Sequence, residues 1–323
     1  MKAIRIAKTG GPEVLALEDV DLPAPTRGQV RVKHTAIGVN FIDTYQRSGL
    51  YPVPVPGGLG LEAAGTVDAL GEGVTSLKIG DRVGYCTGPL GAYAEANNVP
   101  ADRLVKLPDG ISDEEAAASM LKGMTAQYLL KRTFPVQRGQ TILFHAAAGG
   151  VGLILCQWAK HLGATVIGTV GSDDKIALAK AHGCDHVLNT RTENWVSRVR
   201  ALTKDEGVPV VYDGVGKETW NGSLDCLAVR GMMVSFGNAS GPVPAFEPGI
   251  LSAKGSLYLT RPTLMHYTRT AEELQETAND LFDVIAKSVV KIEIHQRFKL
   301  ADARAAHEAL HSRNTTGATI LLP

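Results

Sequence analysis

Cysteine is scarce: four residues, Cys86, Cys156, Cys184 and Cys226, lie far apart with no C-x-x-C pair. That spacing excludes a structural zinc lobe and a secreted disulfide scaffold, and a reduced, cytoplasmic protein is the simplest reading. Charge of one sign is lacking too. Lys+Arg and Asp+Glu are 33 each, for a formal net charge of +0, so no global field draws in nucleic acid or an anionic membrane. Residues 1–13 lack the apolar core of a signal peptide; they alternate like a short strand and turn at Gly10-Gly11-Pro12. Residues 139–159 are the only long stretch free of Lys, Arg, Asp and Glu. A glycine cluster and His145 split it into a β-like run and a helix-like one, so no membrane span is expected. What is abundant is glycine, 35 of 323 residues, a density that suggests tight turns and close backbone approach to a ligand.

At roughly 150 residues per domain, the length suggests two domains. Short β-like runs dominate the first part: Ala3 to Ile6, Gln29 to Ala36, Ala63 to Leu70, Asp81 to Tyr85 and Ala92 to Val99. Gly71-Glu72-Gly73 and Gly80-Asp81-Arg82 sit where hairpins should turn. The Pro-rich run from Tyr51 to Gly58 cannot pair as a central strand, because each Pro lacks an N–H, and it is expected as an exposed loop bordering a cleft. Ser112 followed by Asp113, Glu114 and Glu115 reads as a helix N-cap.

Beyond Arg138 strands and helices alternate: Thr141 to His145, helix Gly150 to Leu162, Thr165 to Val170, helix Asp174 to His182, His186 to Leu188, helix Glu193 to Thr203 and Val208 to Asp213. Helix Glu218 to Leu227, strand Gly231 to Phe236 and an edge-like strand Ser256 to Thr260 extend the pattern. Such alternation predicts a doubly wound parallel sheet, an α/β fold. A long helix Ala271 to Ser288, strand Ile292 to Phe298, helix Leu300 to Leu310 and strand Ala318 to Leu322 close the chain. The expected division is a β-rich domain of residues 1–122 with 264–323, and a nucleotide-binding domain of residues 123–263.

Ala147-Ala148-Gly149-Gly150-Val151-Gly152, between a strand and a helix, is a G-x-G-x-x-G variant with Ala first. Small residues there permit the turn, let a pyrophosphate approach the backbone and aim a helix N-terminus at it. The cofactor is chosen at the end of the next strand, where NAD sites carry Asp or Glu for the ribose 2′-OH. Here the strand ends Val170-Gly171-Ser172, followed by Asp173, Asp174 and Lys175. Ser172 and Lys175 favour NADPH, and the two aspartates fall where a helix begins. His145, after a core strand, is expected to be packed and satisfied, and Cys86 to be a buried thiol.

Gly139-Gln140, Leu143, the 147–152 motif, Gln157 and Lys160 together resemble the signature of the quinone oxidoreductases and zeta-crystallins, within the medium-chain dehydrogenase/reductase superfamily. Residues 60–67, Gly-Leu-Glu-Ala-Ala-Gly-Thr-Val, are similar to that superfamily's first-domain motif, and the likeness spans essentially the whole chain. Asn40, Asp43, Arg47, Gly49, Tyr51 and Pro52 resemble the active-site stretch of the quinone reductases. The resemblance implies a GroES-like, partly open barrel beside a Rossmann domain, and a homodimer pairing edge strands such as residues 255–260. It also implies NADPH contacts at Asn40 and Asp43 near the nicotinamide end, Tyr128 between the domains, and Gly150 and Val151 at the pyrophosphate. By the same likeness Ser172, Lys175 and Arg313 serve the phosphates, Val215 flanks the cofactor, and Asn238 with Ala239 lines the nicotinamide side. Thr190 stands where relatives often show Tyr, which keeps a hydroxyl but loses the ring.

Zinc alcohol dehydrogenases of the superfamily carry His before the motif's Glu, and here that residue is Leu61. No cysteine cluster supplies other donors, so a metal-free reductase is expected. Glu62 then reads as a structural acceptor rather than a base. A quinone or conjugated enone is electrophilic enough to need no Lewis acid, so loss of zinc and a soft acceptor agree. The expected activity is NADPH-dependent quinone reduction. Alternatives are a zinc-free enone or alkenal reductase and a crystallin-like structural or RNA-binding protein; the lack of a basic stripe counts against RNA as primary ligand. Tyr45 and Tyr51, flanking the start of the Pro-rich loop, are the candidate donors to a quinone oxygen. They are also open to a purely packing role, as Asn40 and Asp43 are to a simple turn.

Overall fold

The computed structural model describes residues 1–313 and 315–323. They divide into two compact units, Met1–Met124 with Tyr267–Ala286 and Ile292–Pro323, and Thr125–His266 with Lys287–Lys291. Along the chain the first unit opens with β1 (Lys2–Ile6), β2 (Ala16–Asp19), β3 (Gln29–Val39), α1 (Phe41–Ser48), β4 (Gly57–Gly58), β5 (Glu62–Leu70), β6 (Arg82–Tyr85), β7 (Ala96–Pro100), β8 (Val105–Lys106) and α2 (Asp113–Tyr128). The second follows with β9 (Thr141–Phe144), α3 (Gly150–His161), β10 (Thr165–Val170), α4 (Ile176–Ala181), β11 (His186–Asn189), α5 (Trp195–Leu202), β12 (Val208–Asp213), α6 (Trp220–Asp225), β13 (Leu227–Ser235), α7 (Gly249–Ala253) and β14 (Tyr258–Thr260). After α8 (Leu264–Tyr267) the chain finishes with α9 (Ala271–Ala286), β15 (Ile294–Lys299), α10 (Ala303–His311) and β16 (Ala318–Leu322).

In the first unit a seven-stranded sheet runs β15-β16-β3-β5-β6-β8, with β7 also on β3, and a small sheet runs β2-β1-β4. Apart from the β15–β16 pair, the ladders of both sheets are antiparallel. β3 explains the sheet's two faces: Val30, Val32 and His34 alternate inward, then residues 36–39 are buried on both sides. Ile4, Ile6, Val67, Val83, Tyr85 and Tyr93 share one core with Leu300, Ala303, Ala306 and Leu310 from the end of the chain. α2 begins with a capping box, Ser112 Oγ accepting from the Glu115 N–H at 3.2 Å and Glu115 accepting from the Ser112 N–H at 2.9 Å.

In the second unit every pairing is parallel, in the order β11-β10-β9-β12-β13-β14. The chain winds outward one way from β9 and then the other, so the order reverses between β9 and β12, where such sheets bind ligands beyond the strands' carboxyl ends. Leu143, Ile167, Val208, Val211, Trp220 and Leu224 form its core.

Several expectations shift. The segment after Asn40 is a helix rather than a turn, and the run read as a strand from Ala92 is continuous strand only over Ala96–Pro100 as β7, with Ala94 meeting Ala3 in an isolated bridge. The helix expected from Asp174 starts as one 3₁₀ turn, Asp173–Lys175, before α4. The Pro-rich run is a loop up to Pro56, but Gly57 and Gly58 pair with β1 at the edge of the small sheet. Among the described residues no helix is long and apolar enough to cross a membrane.

Candidate functional site

In the second unit the glycine-rich turn folds back onto the helix it opens. The Gly149 N–H donates to the Ala146 carbonyl at 2.9 Å, and the Ala147 N–H to the Thr169 carbonyl at 2.8 Å. A Cβ on Gly152 would stand 2.5 Å from the Ala146 oxygen and 2.6 Å from the Ala147 oxygen, so glycine is obligatory there. Gly150 and Val151 are the first residues of α3. Their N–H groups precede any intrahelical acceptor and point toward the positive end of the helix dipole, a cradle that fits a diphosphate.

Beyond β10, Gly171 and Ser172 are half-buried, and Ser172 is fully extended. Asp174 is held below the usual carboxylate range by the Ser172 hydroxyl. Lys175 is half-buried; burial lowers its proton affinity, Asp174 opposes this and Arg191 adds to it. Thr190 donates both its N–H and its hydroxyl to the Val170 carbonyl, at 3.0 and 3.3 Å. Arg313, exposed after α10, belongs to the first unit.

Beyond β12 the loop carrying Val215 is pinned by buried Asp213. One of its oxygens accepts from the Val215 and Gly216 N–H groups at 2.8 and 2.9 Å, and the other from the Thr219 and Ser223 hydroxyls at 2.7 and 2.8 Å. The segment carrying Asn238 and Ala239 is tied to that loop, the Ala239 N–H donating to Gly214 and the Ser240 N–H to Val215. His145 lies behind, satisfied by Thr169 and Ser223 at 2.8 and 2.9 Å and edge-on to Trp195. Tyr128, at the end of α2, is buried.

In the first unit Asn40 and Asp43 open α1. The Asn40 N–H donates to Asp43 Oδ2 at 2.8 Å, and the Asn40 amide to Glu62 Oε2 at 2.7 Å. Glu62 is fully buried; it also accepts the Leu121 N–H at 2.7 Å and lies 3.4 Å from Lys122 Nζ. From Asp43 a chain of polar groups runs inward: Tyr93 Oη donates to Asp43 Oδ2 at 2.9 Å and lies 3.0 Å from His307 Nε2, and Arg47 Nη1 is 3.1 Å from His307 Nδ1. Since a guanidinium only donates, Nδ1 accepts and Nε2 carries the proton. Burial, with Arg47 beside it, pushes His307 down to about 3, and burial pushes Asp43 up to about 7. Asp43 Oδ1 is buried with no hydrogen-bond partner among the described residues.

Tyr45 is buried within α1 and Tyr51 is half-buried, their rings 5.3 Å apart and edge-on. Leu61 is buried, and among the described residues no three His, Cys, Asp or Glu side chains gather where a metal ion could be held. All four cysteines are free and buried.

Sequence reading passed over Lys122, Tyr93, His307 and Arg191. The first three join the site through partners 50 to 214 residues away, which no local pattern marks. Nor does a local pattern mark Arg191, which is placed by the pairing of β11 with β10.

The chain matches the family models for the alcohol dehydrogenase GroES-like domain over residues 26–109 and for zinc-binding dehydrogenases over residues 150–287. It is 57% identical over 323 residues to the quinone oxidoreductase of Pseudomonas aeruginosa, covering 100% of this chain and 99% of that protein. It is 45% identical to the 2-haloacrylate reductase of a Burkholderia species, covering 98% of each. The crystal structure of Escherichia coli quinone oxidoreductase complexed with NADPH superposes with a TM-score of 0.99 at 51% identity, over the whole of both chains.

Proposed function

Since this chain belongs to the quinone oxidoreductase family, we propose that it catalyses NADPH-dependent reduction of quinones without a metal ion. The observation that carries the cofactor choice is the end of β10. Gly171 has no side chain there, the carboxylates of Asp173 and Asp174 are engaged by Asn189 and Ser172, and half-buried Lys175 follows. When bound, NADPH supplies a hydride from nicotinamide C4. The protein's part is to hold and orient: Gly150 and Val151 present backbone donors to the pyrophosphate, and Ser172, Lys175 and Arg313 present donors to the phosphates, with Thr190 nearby. Val215, Asn238 and Ala239 sit on two mutually tied loops, which fixes their backbones before any ligand arrives. Tyr128 lines the start of the same unit. Asn40 serves the nicotinamide end, and Asp43, fully buried, serves it by holding Asn40.

Negative charge that develops on a quinone oxygen needs a donor. Of the two candidate tyrosines, Tyr51 retains accessible surface, whereas Tyr45 is packed beneath it. Leu61 occupies the place of a zinc-ligating His, and a conjugated acceptor needs less polarisation than a simple ketone.

A homodimer is the assembly we infer. β14 is an outer strand of the parallel sheet, and Tyr258 on it, with Val229 nearby, is 60% and 74% exposed respectively. The four buried free thiols suit the reducing cytoplasm. The Burkholderia relative favours a second reading, reduction of an activated carbon–carbon double bond. One experiment decides: NADPH and NADH oxidation is followed with benzoquinone, a 2-haloacrylate and an alkenal, before and after prolonged chelation. Benzoquinone turnover with NADPH, unaffected by chelator, is expected. Turnover confined to the acrylate or alkenal, or restored only by zinc, would overturn the proposal.

A further inference from the structure

We infer that Arg191 reads the cofactor's 2′-phosphate together with Lys175, as the second cation of a two-cation site at the end of β10; this rests on the NADPH reading above. The first side chain that a Cβ on Gly171 would approach is Arg191, whose Nε lies 3.9 Å from that position. Where an NAD enzyme places a carboxylate for the ribose hydroxyl, this chain has no side chain and sets a guanidinium within van der Waals range of the position.

The position is built rather than incidental. The parallel register brings Asn189 opposite Val170, and the Thr190 N–H donates to the Val170 carbonyl at 3.0 Å, so β11 delivers Arg191 beside Gly171. Buried Asn189 accepts the Arg191 N–H at 2.9 Å through Oδ1 and donates through Nδ2 to Asp173 Oδ1 at 2.7 Å. One amide thus ties the two segments that carry the two cations.

The charges around it point the same way. Lys175 is half-buried and feels Arg191 as a like charge that lowers its proton affinity, with Asp174 opposing, while the Arg191 guanidinium itself does not deprotonate. The Arg191 side chain makes no hydrogen bond or ion pair among the described residues. Nearby carboxylates are committed elsewhere: Asp173 to Asn189, Asp174 to Ser172 and Lys175, and Glu193 to the Asn189 N–H. A phosphomonoester of charge about −1.5 to −2 near neutral pH would relieve the repulsion, and the planar fork of Arg191 suits its oxygens.

The test is binding, not turnover. Calorimetry with adenosine 2′,5′-bisphosphate and with 5′-AMP, on wild type, Lys175→Ala, Arg191→Gln and Arg191→Lys, separates the phosphate contact from the rest. We expect Arg191→Gln to weaken the bisphosphate about 10- to 100-fold, Arg191→Lys to recover part of that, and AMP to change by less than twofold. Should Arg191→Gln bind the bisphosphate within twofold of wild type while Lys175→Ala does not, the inference falls and the NADPH reading stands. Should wild type itself fail to prefer the bisphosphate over AMP, both fall. An equal loss of both ligands in a folded Arg191→Gln protein would also overturn it, marking a structural role.

Discussion

The Asn40 side-chain amide donates to Glu62 Oε2 at 2.7 Å, joining the residue that opens α1 to the first residue of β5. Glu62 also holds the Leu121 N–H and Lys122, so the carboxylate knits two strands' ends to two helices with no exposure to water. Replacing it by Ala leaves Lys122 buried without its carboxylate and strands two donors. We expect a loss of about 3 to 5 kcal/mol in urea unfolding, with Glu62→Gln costing less. The pH–rate profile of Glu62→Gln should keep its shape; a vanished acid limb would mean that Glu62 exchanges protons during turnover.

Stability should depend on pH through the buried groups of the first unit. His34 and His307, pushed by burial down to about 4 and about 3, take up protons on unfolding below their unfolded value near 6.5, so their contribution is present above that value and is lost as pH falls. Asp43, pushed up to about 7, acts oppositely: its contribution is present at low pH and is lost as pH rises through 7. Two imidazoles against one carboxyl leave a net uptake of about one proton, so stability should climb by about 1.4 kcal/mol per pH unit between pH 4 and 6.5 and decline slightly above. Buried His145, also shifted down, steepens the climb. Urea midpoints across this range test the slope, and Asp43→Asn should abolish the decline near neutrality.

Lys175→Ala removes one charge-assisted contact from the proposed phosphate site. NADPH affinity, followed by quenching of its fluorescence, should fall about ten- to more than a hundredfold, with NADH little changed. Equal losses for both would show that Lys175 does not meet the 2′-phosphate.

Tyr51 lies just beyond the left-handed Gly49 that ends α1, its N–H donating to the Tyr45 carbonyl at 3.0 Å. Because a reduced quinone's charge is spread by conjugation, one donor matters less than the ~10²- to 10³-fold of an acyl-transfer oxyanion hole. Tyr51→Phe should lower quinone turnover by under tenfold, and Tyr51→Ala should chiefly raise KM for quinone. A hundredfold fall for Tyr51→Phe with unchanged NADPH affinity would reveal a dedicated proton donor.

If β14 pairs with its counterpart in a second copy, a charge there should prevent it. Tyr258→Glu is expected to sediment as a monomer where wild type sediments as a dimer. A wild-type monomer would refute the assembly outright.

Local pattern alone determined much of the parallel sheet. The strands Thr165–Val170 and Val208–Asp213 fall where their short apolar runs place them, as Ala318–Leu322 does in the first unit's sheet, and α3 begins at Gly150 as the glycine turn requires. Short-range chemistry suffices there, because each strand is a mainly apolar run and the glycine turn needs small residues. α1 was not legible in that way. Its middle is Asp43, Thr44, Tyr45, Gln46 and Arg47, all buried, and a helix that hides such side chains depends on partners brought from afar. Those partners are Tyr93 and His307, the latter 260 residues from Arg47. The exposed β2 likewise exists only through its ladder with β1. Sequence marked Ser172 and Lys175, after Gly171, as choosing the cofactor, but only the parallel register of β10 and β11 put Arg191 beside Gly171. Strand pairing acts across the sheet, where spacing along the chain carries no information.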